Sequence, residues 1–269
     1  MITTHGCLLN RTSNRVHPFN YFNLQPFHTL MKKLNEMTAL ITGGSKGIGY
    51  GIAASLLKEG VNVAITSRHQ EAADAAVQQL SQTGPGKVIG IVADVRDFDS
   101  QKNAVAKTLE AFGRLDVLVA NAGVGHFAPI TEMTPEQWHE TIDTNLTGVF
   151  YSLKAAVDAL TNAKGYFISI ASLAGTNFFA SAAAYNASKF GLVGFTQAVM
   201  LDLRDAGIKC STIMPGSVAS NFNNHEPNAD DAWKIQPEDI GQMVVDLLHM
   251  NPRTLPSKIE VRPSQTPKK

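Results

Sequence analysis

The stretch SAAAYNASKFG, residues 181–191, holds one phenol and one ammonium four positions apart among small and apolar neighbours. On a helix that spacing is one turn, which puts Tyr185 and Lys189 on one face with Cβ atoms about 5–6 Å apart. A phenol, with an ordinary pKa of about 10, is a poor acid–base group at neutral pH. A neighbouring cation favours the phenolate and draws that value toward the working range, so the pair reads as a proton donor with a lysine that tunes it. The same spacing also suits a solvated helix face, and only the remainder of the chain separates the two readings.

A second chemical feature lies upstream. TGGSKGIG, residues 42–49, places Gly43, Ser45, Lys46, Gly47, Ile48 and Gly49 between a β-rich run and a helical window. Glycines at such a junction let the backbone approach a pyrophosphate, and the helix N-terminus offers it free N–H groups. The bland alternative is a tight turn without a ligand. The order strand, turn, helix favours a dinucleotide site. At the end of the next β-rich run, where an NAD site usually has a carboxylate for the ribose 2′-hydroxyl, the chain has Ser67 and Arg68. With Lys46 these suit a 2′-phosphate, so NADP(H) is the preferred cofactor and NAD(H) the second choice.

These features must be positioned by the elements around them. Strand candidates occupy 38–42, 61–66, 87–93, 115–120, 165–170, 208–213 and 258–261. Helical windows fall near 47–59, 70–82, 99–112, 135–162, 182–206 and 237–249. Seven strands alternating with six helices specify an α/β fold: a doubly wound, parallel seven-stranded sheet with helices on both faces, as a single domain over residues 31–263. Ligands of such sheets bind beyond the carboxyl ends of the strands. No 20–50-residue period and no low-complexity block appears. Residues 1–30 have no sustained apolar period and read as an extension ahead of a start at Met31, with a transit peptide as the alternative; 264–269 read as a tail.

Composition narrows the partners. The 269 residues carry 23 basic and 23 acidic side chains, so no global charge draws the chain to nucleic acid or to an anionic membrane. No apolar stretch approaches the roughly 20 residues that span a bilayer. Cys7 and Cys210 stand in different contexts and suggest neither a disulfide framework nor a metal site, which fits a reducing cytoplasm. Hydrophobic residues make up 44% of the chain, enough for an extensive core.

Taken together, Thr42-Gly43-x-x-x-Gly47-x-Gly49, Asp94, Asn121-Ala122-Gly123, Asn145, Ser172, Tyr185-x-x-x-Lys189 and Pro215-Gly216 resemble the short-chain dehydrogenases/reductases, from about Thr38 to Glu260. The resemblance implies a catalytic set of Asn145, Ser172, Tyr185 and Lys189. Tyr185 would be the general acid in reduction and the base in oxidation, and Lys189 would lower its pKa and hold the nicotinamide ribose. Ser172 would polarise the substrate carbonyl, and Asn145 would hold a water linking Lys189 to solvent. Asp94 and Val95 would meet the adenine, and Asn121, Ala122 and Gly123 would pass close to its ribose. Pro215, Gly216, Val218 and Ser220 would flank the nicotinamide.

The chain also departs from the family pattern. Ala120 and Ser220 replace a common Asn and Thr. The polar segment Ala219–Gln236 is short, which predicts an open cleft and a mobile cover. The ending lacks a glycine-rich tail used in tetramer contacts, so a homodimer through the 135–162 and 182–206 helices is expected ahead of a tetramer. Phe127, Phe178 and Phe179 would make the cleft apolar, and His126 would either line it or be solvated. The implied activity is reduction of a small carbonyl compound, such as a ketone or 3-oxoacyl thioester, or oxidation of the corresponding alcohol. The alternatives are an NAD-dependent alcohol dehydrogenase and a non-catalytic dinucleotide sensor.

Overall fold

Residues 32–266 are described by the computed structural model; the expectations for residues 1–30 and Cys7, and the last three residues of the tail, lie outside them. Among the described residues the apolar runs form seven strands: β1 (Thr38–Ile41), β2 (Asn62–Ser67), β3 (Val88–Val92), β4 (Val117–Ala120), β5 (Tyr166–Ile170), β6 (Lys209–Pro215) and β7 (Lys258–Val261). They pair in parallel in the order β3-β2-β1-β4-β5-β6-β7. Strands β1, β4 and β5 are buried along their whole length, because helices cover both of their faces; the edge strand β7 alternates between half-buried and exposed.

Successive side chains of a strand point to opposite faces, and the core divides accordingly. Ile41, Ile65, Val119 and Ile168 pack against helix α1 (Gly47–Lys58) and helix α7 (Pro237–His249). Leu40, Leu118 and Phe167 pack on the other side, against α3 (Phe98–Phe112), α5 (Gly148–Ala163) and α6 (Ala183–Leu203). Helix α2 (Gln70–Leu80) covers β2 and β3. The chain winds outward from β1 to β3 and returns to place β4 on the other flank of β1. This topological switch opens a crevice at the carboxyl ends of β1 and β4.

Two local features set the site. The amino end of the sheet is tied by Asp116, 3% exposed, which accepts from the Thr38 N–H at 2.9 Å, from Arg114 at 2.7 and 2.8 Å and from Lys32. The expected single helix over 135–162 is two helices, α4 (Pro135–Ile142) and α5, joined by a π-helical turn over Asp143–Thr147. The break has a cause in side-chain bonding. Asn145, fully buried, donates to the Val124 carbonyl at 2.8 Å and to Ser188 Oγ at 3.0 Å, and accepts from the Val124 N–H at 2.8 Å. A wider turn aims the amide inward, as π turns do at functional sites. The other boundaries fall within about three residues of the sequence reading.

Candidate active site

The glycine turn leaves β1 at Thr42, which is buried and makes three bonds that tie the turn to the loop after β4. Its Oγ1 accepts from the Asn121 and Ala122 N–H groups at 3.0 and 3.1 Å. Asn121 Nδ2 donates back to the Thr42 and Gly43 carbonyls at 3.0 and 3.1 Å. Gly43 has φ +64°, and a Cβ there would lie 2.9 Å from Ala122 Cα. At Gly49 a Cβ would meet Asn121 Nδ2 and the Gly43 carbonyl at 2.5 Å. Only glycine fits either position. Lys46 is the N-cap of α1 and makes no capping bond with its side chain, so the first-turn N–H groups of α1 remain available at the crevice.

At the end of β2, Ser67 and Arg68 enter the same crevice. Arg68 Nη1 lies 3.9 Å from Glu140 Oε1 on α4, and Glu140 Oε2 is 2.9 Å from His126 Nε2. His126 therefore lines the cleft with a partner. Asp94 follows β3 and is gripped by Arg96, whose Nε and Nη2 lie 3.0 and 2.6 Å from its two oxygens; this hydrogen bonding holds its carboxyl below the usual range. Asp94 is not the cap of the next helix, since Asp97 takes that place by accepting from the Asp99 N–H at 2.9 Å.

Strand β5 delivers Ser172 and helix α6 delivers Tyr185 and Lys189. Lys189 is 4% exposed and donates to the Ile170 carbonyl at 3.1 Å, with its Nζ 5.7 Å from the centre of the Tyr185 ring. Burial pulls its pKa down to about 8. The phenol of Tyr185 is pushed up by burial, with Ser172 hydrogen bonding in opposition. The expected lowering of the phenol by Lys189 is thus not the state of the protein alone: desolvation of the phenol outweighs an ammonium that burial has itself weakened. Both amide hydrogens of Asn145 are spent on Val124 and Ser188, which leaves one Oδ1 lone pair and its backbone for a water.

Aromatic rings close on the phenol. Phe127 and Phe222 have ring centres 5.4 and 5.5 Å from that of Tyr185, and Phe127 stacks with Phe179 at 6.1 Å. Phe178 is 85% exposed and does not join them, contrary to its expected place; Asn186 explains why its neighbour does. The Asn186 amide donates to the Ala174 and Asn177 carbonyls at 2.7 and 2.8 Å and accepts from the Phe179 N–H at 3.4 Å, fixing the loop after β5.

The segment over 219–236 reaches the phenol end of the cleft. Val218 and Ile235 form a parallel bridge, and Phe222 reaches the phenol. Asp231 anchors the segment by accepting from His225 and Lys234, both at 2.5 Å.

Of the catalytic and cofactor-binding residues expected from the sequence, all but Gly49 and Asn145 line one cleft of about 1420 Å³, and those two support it from behind. The cradle fits a dinucleotide: a backbone turn no side chain can fill, free helix N–H groups, and Ser67, Arg68 and Lys46 lining the same cleft. Sequence reasoning missed Glu140, Asn186 and Phe222 as parts of the site. Each acts through a contact distant in sequence, and only the Asn186 position, adjoining Tyr185, carried a local hint.

A family model described as short chain dehydrogenase matches residues 37–231. The chain is 36% identical to a 3-oxoacyl-[acyl-carrier-protein] reductase of Synechocystis over 202 residues, 73% of this chain and 81% of that protein. It is 30% identical to a glycine betaine reductase of Emericella nidulans over 244 residues, 87% of this chain but only 19% of that longer protein. A metagenomic short-chain oxidoreductase solved in complex with NADP superimposes with a TM-score of 0.76 at 34% identity, covering 87% of this chain and 100% of that one. No helix among the described residues is long and apolar enough to cross a membrane.

Proposed function

The chain belongs to the short chain dehydrogenase family, oxidoreductases that interconvert carbonyl and CH–OH groups with NAD(P), and from that premise we propose that it is an NADP(H)-dependent reductase of a neutral ketone or aldehyde. The observation that carries the cofactor choice is the end of β2, which has Ser67 and Arg68 in place of a carboxylate, both lining the same cleft as Lys46. Bound NADP(H) would supply the hydride. The turn from Gly43 to Gly49 would hold its pyrophosphate, Asp94 and Val95 its adenine, Asn121, Ala122 and Gly123 the adjoining ribose, and Pro215, Gly216, Val218 and Ser220 the nicotinamide end.

The protein's own work is positioning and proton transfer. Ser172 orients the substrate carbonyl by donating to its oxygen. Tyr185 delivers its hydroxyl proton to that oxygen as negative charge develops there. Lys189, held on the Ile170 carbonyl, stabilises the phenolate left behind and would bond the nicotinamide ribose. Asn145 ties the Val124 backbone to Ser188, the chain neighbour of this lysine, and its remaining acceptor capacity supports a water connecting Lys189 to solvent. Exposed Phe150 on α5 with Phe190 and Leu201 on α6 support a homodimer through those helices.

The reading is tested by titrating the protein with NADPH and NADH. NADPH is expected to bind at least about tenfold more tightly. Arg68→Asp is expected to reverse that preference by removing a 2′-phosphate partner and supplying a ribose acceptor. Equal binding of the two cofactors by both proteins would refute the assignment. Tight NADPH binding without turnover on a broad carbonyl panel would favour a sensor.

A further inference from the structure

The three loops that follow β4, β5 and β6 each contribute one phenylalanine to the phenol end of the cleft: Phe127, Phe179 and Phe222. Their rings form a connected set, with Phe127 in contact with both others and with Tyr185. Gly125 makes room for it, since a Cβ there would lie 2.5 Å from Phe222 Cζ and 2.9 Å from Phe127 Cε2. The rings are 38%, 52% and 37% exposed, too accessible for a core cluster and placed where a substrate must reach Tyr185.

The basic side chains around the covering segment and the rim already have partners. His225 and Lys234 on the covering segment both bind Asp231, and Arg262 at the rim binds Glu260 at 3.0 Å. Apart from Lys189, which is buried behind the phenol and donates to the Ile170 carbonyl, a substrate with a negatively charged group beside its carbonyl finds no unpaired basic side chain at this end among the described residues. A flat apolar group finds faces and edges to pack on, and aromatic surfaces favour rings over flexible chains because little rotamer freedom is lost on binding.

We propose that this aromatic wall selects a neutral carbonyl substrate with an apolar ring next to the reacting carbon, seated against Phe127 and Phe179 and covered by Phe222. The proposal rests on the reductase reading and narrows its substrate. Phe222 is the specificity-determining member, because it alone belongs to the covering segment and its ring touches both Phe127 and the reacting phenol.

The test is a steady-state comparison, with NADPH, of phenyl methyl ketone, cyclohexyl methyl ketone, butanone and 3-oxobutanoate. Both ring ketones are expected to exceed butanone and 3-oxobutanoate in kcat/KM by about tenfold or more, the range a shaped apolar pocket provides. Phe222→Ala is expected to reduce the ring-to-butanone ratio about tenfold, chiefly through KM, and Phe222→Tyr to restore it. Phe178→Ala, at a ring that faces away, is expected to leave the ratio unchanged. Butanone or 3-oxobutanoate reduced as well as the ring ketones, or a ratio unmoved in Phe222→Ala, overturns the proposal and leaves the reductase reading intact. NADPH binding with no turnover of the ring ketones likewise overturns it, whereas failure to bind NADPH overturns the reading beneath it.

Discussion

Asp116 and Lys189 are both charged side chains buried at the ends of the same sheet, and they are treated in opposite ways. At the amino end Asp116 is saturated: two cations and a backbone N–H surround its carboxylate, and Arg114 is held charged in turn. At the carboxyl end Lys189 has one neutral carbonyl and no carboxylate partner among the described residues. Paired burial serves the fold. An ammonium left without a counter-charge costs stability and persists because something else depends on it. The difference teaches where the molecule has put structure ahead of chemistry and where the reverse.

The largest effect is expected at Lys189. Lys189→Met is expected to lower kcat by about 10²–10⁴-fold, the worth of acid–base assistance, while thermal stability holds or rises because an uncompensated charge has gone. A variant that unfolds more easily and still turns over would invert the assignment.

Asp116→Ala should give the mirror image. We expect a loss of about 2 kcal/mol in chemical denaturation, the scale of hydrogen bonds to a charged group, with kcat nearly unchanged. The loss is limited because Arg114 and Lys32 are partly exposed and can turn to water.

The smallest effect sharpens the contrast through pH. Lys189 has a folded pKa of about 8, below the roughly 10.4 of an unfolded lysine. Between those values the unfolded chain binds more protons, so stability rises with pH across that window, and below about 8 the penalty is constant. Denaturation profiles of the wild type and Lys189→Met should converge as pH climbs from about 8 to about 10.4. Parallel profiles would mean that the lysine is paired in solution.

What the sequence made legible follows the same division. Tyr185, Lys189 and the turn from Gly43 to Gly49 are short patterns whose spacing already fixes their geometry, and alternation of apolar runs fixed the sheet. The π turn at Asn145 was hidden because it answers to Val124, twenty-one residues away. The approach of Phe222 to the phenol was hidden because it depends on polar residues of the same segment, His225 and Lys234, that bind Asp231. Glu140 was missed because its partners Arg68 and His126 meet it only in the assembled fold. The direction of the Tyr185 shift was misjudged because helical spacing reports the neighbouring cation and not the depth of burial.

The bonds between Thr42 and Asn121 also bear on the order in which the molecule becomes competent during synthesis. Their donors and acceptors are 79 residues apart in the chain. A nascent protein that has emerged only through β3 holds the glycine turn without the partners that set its shape, and so carries the sequence of a nucleotide cradle without the cradle. The site matures when β4 slots beside β1, and the cover carrying Phe222 can close only after that. Ribosome-bound chains of increasing length should therefore gain cofactor affinity in a step rather than gradually, well after the motif that names the site has left the exit tunnel.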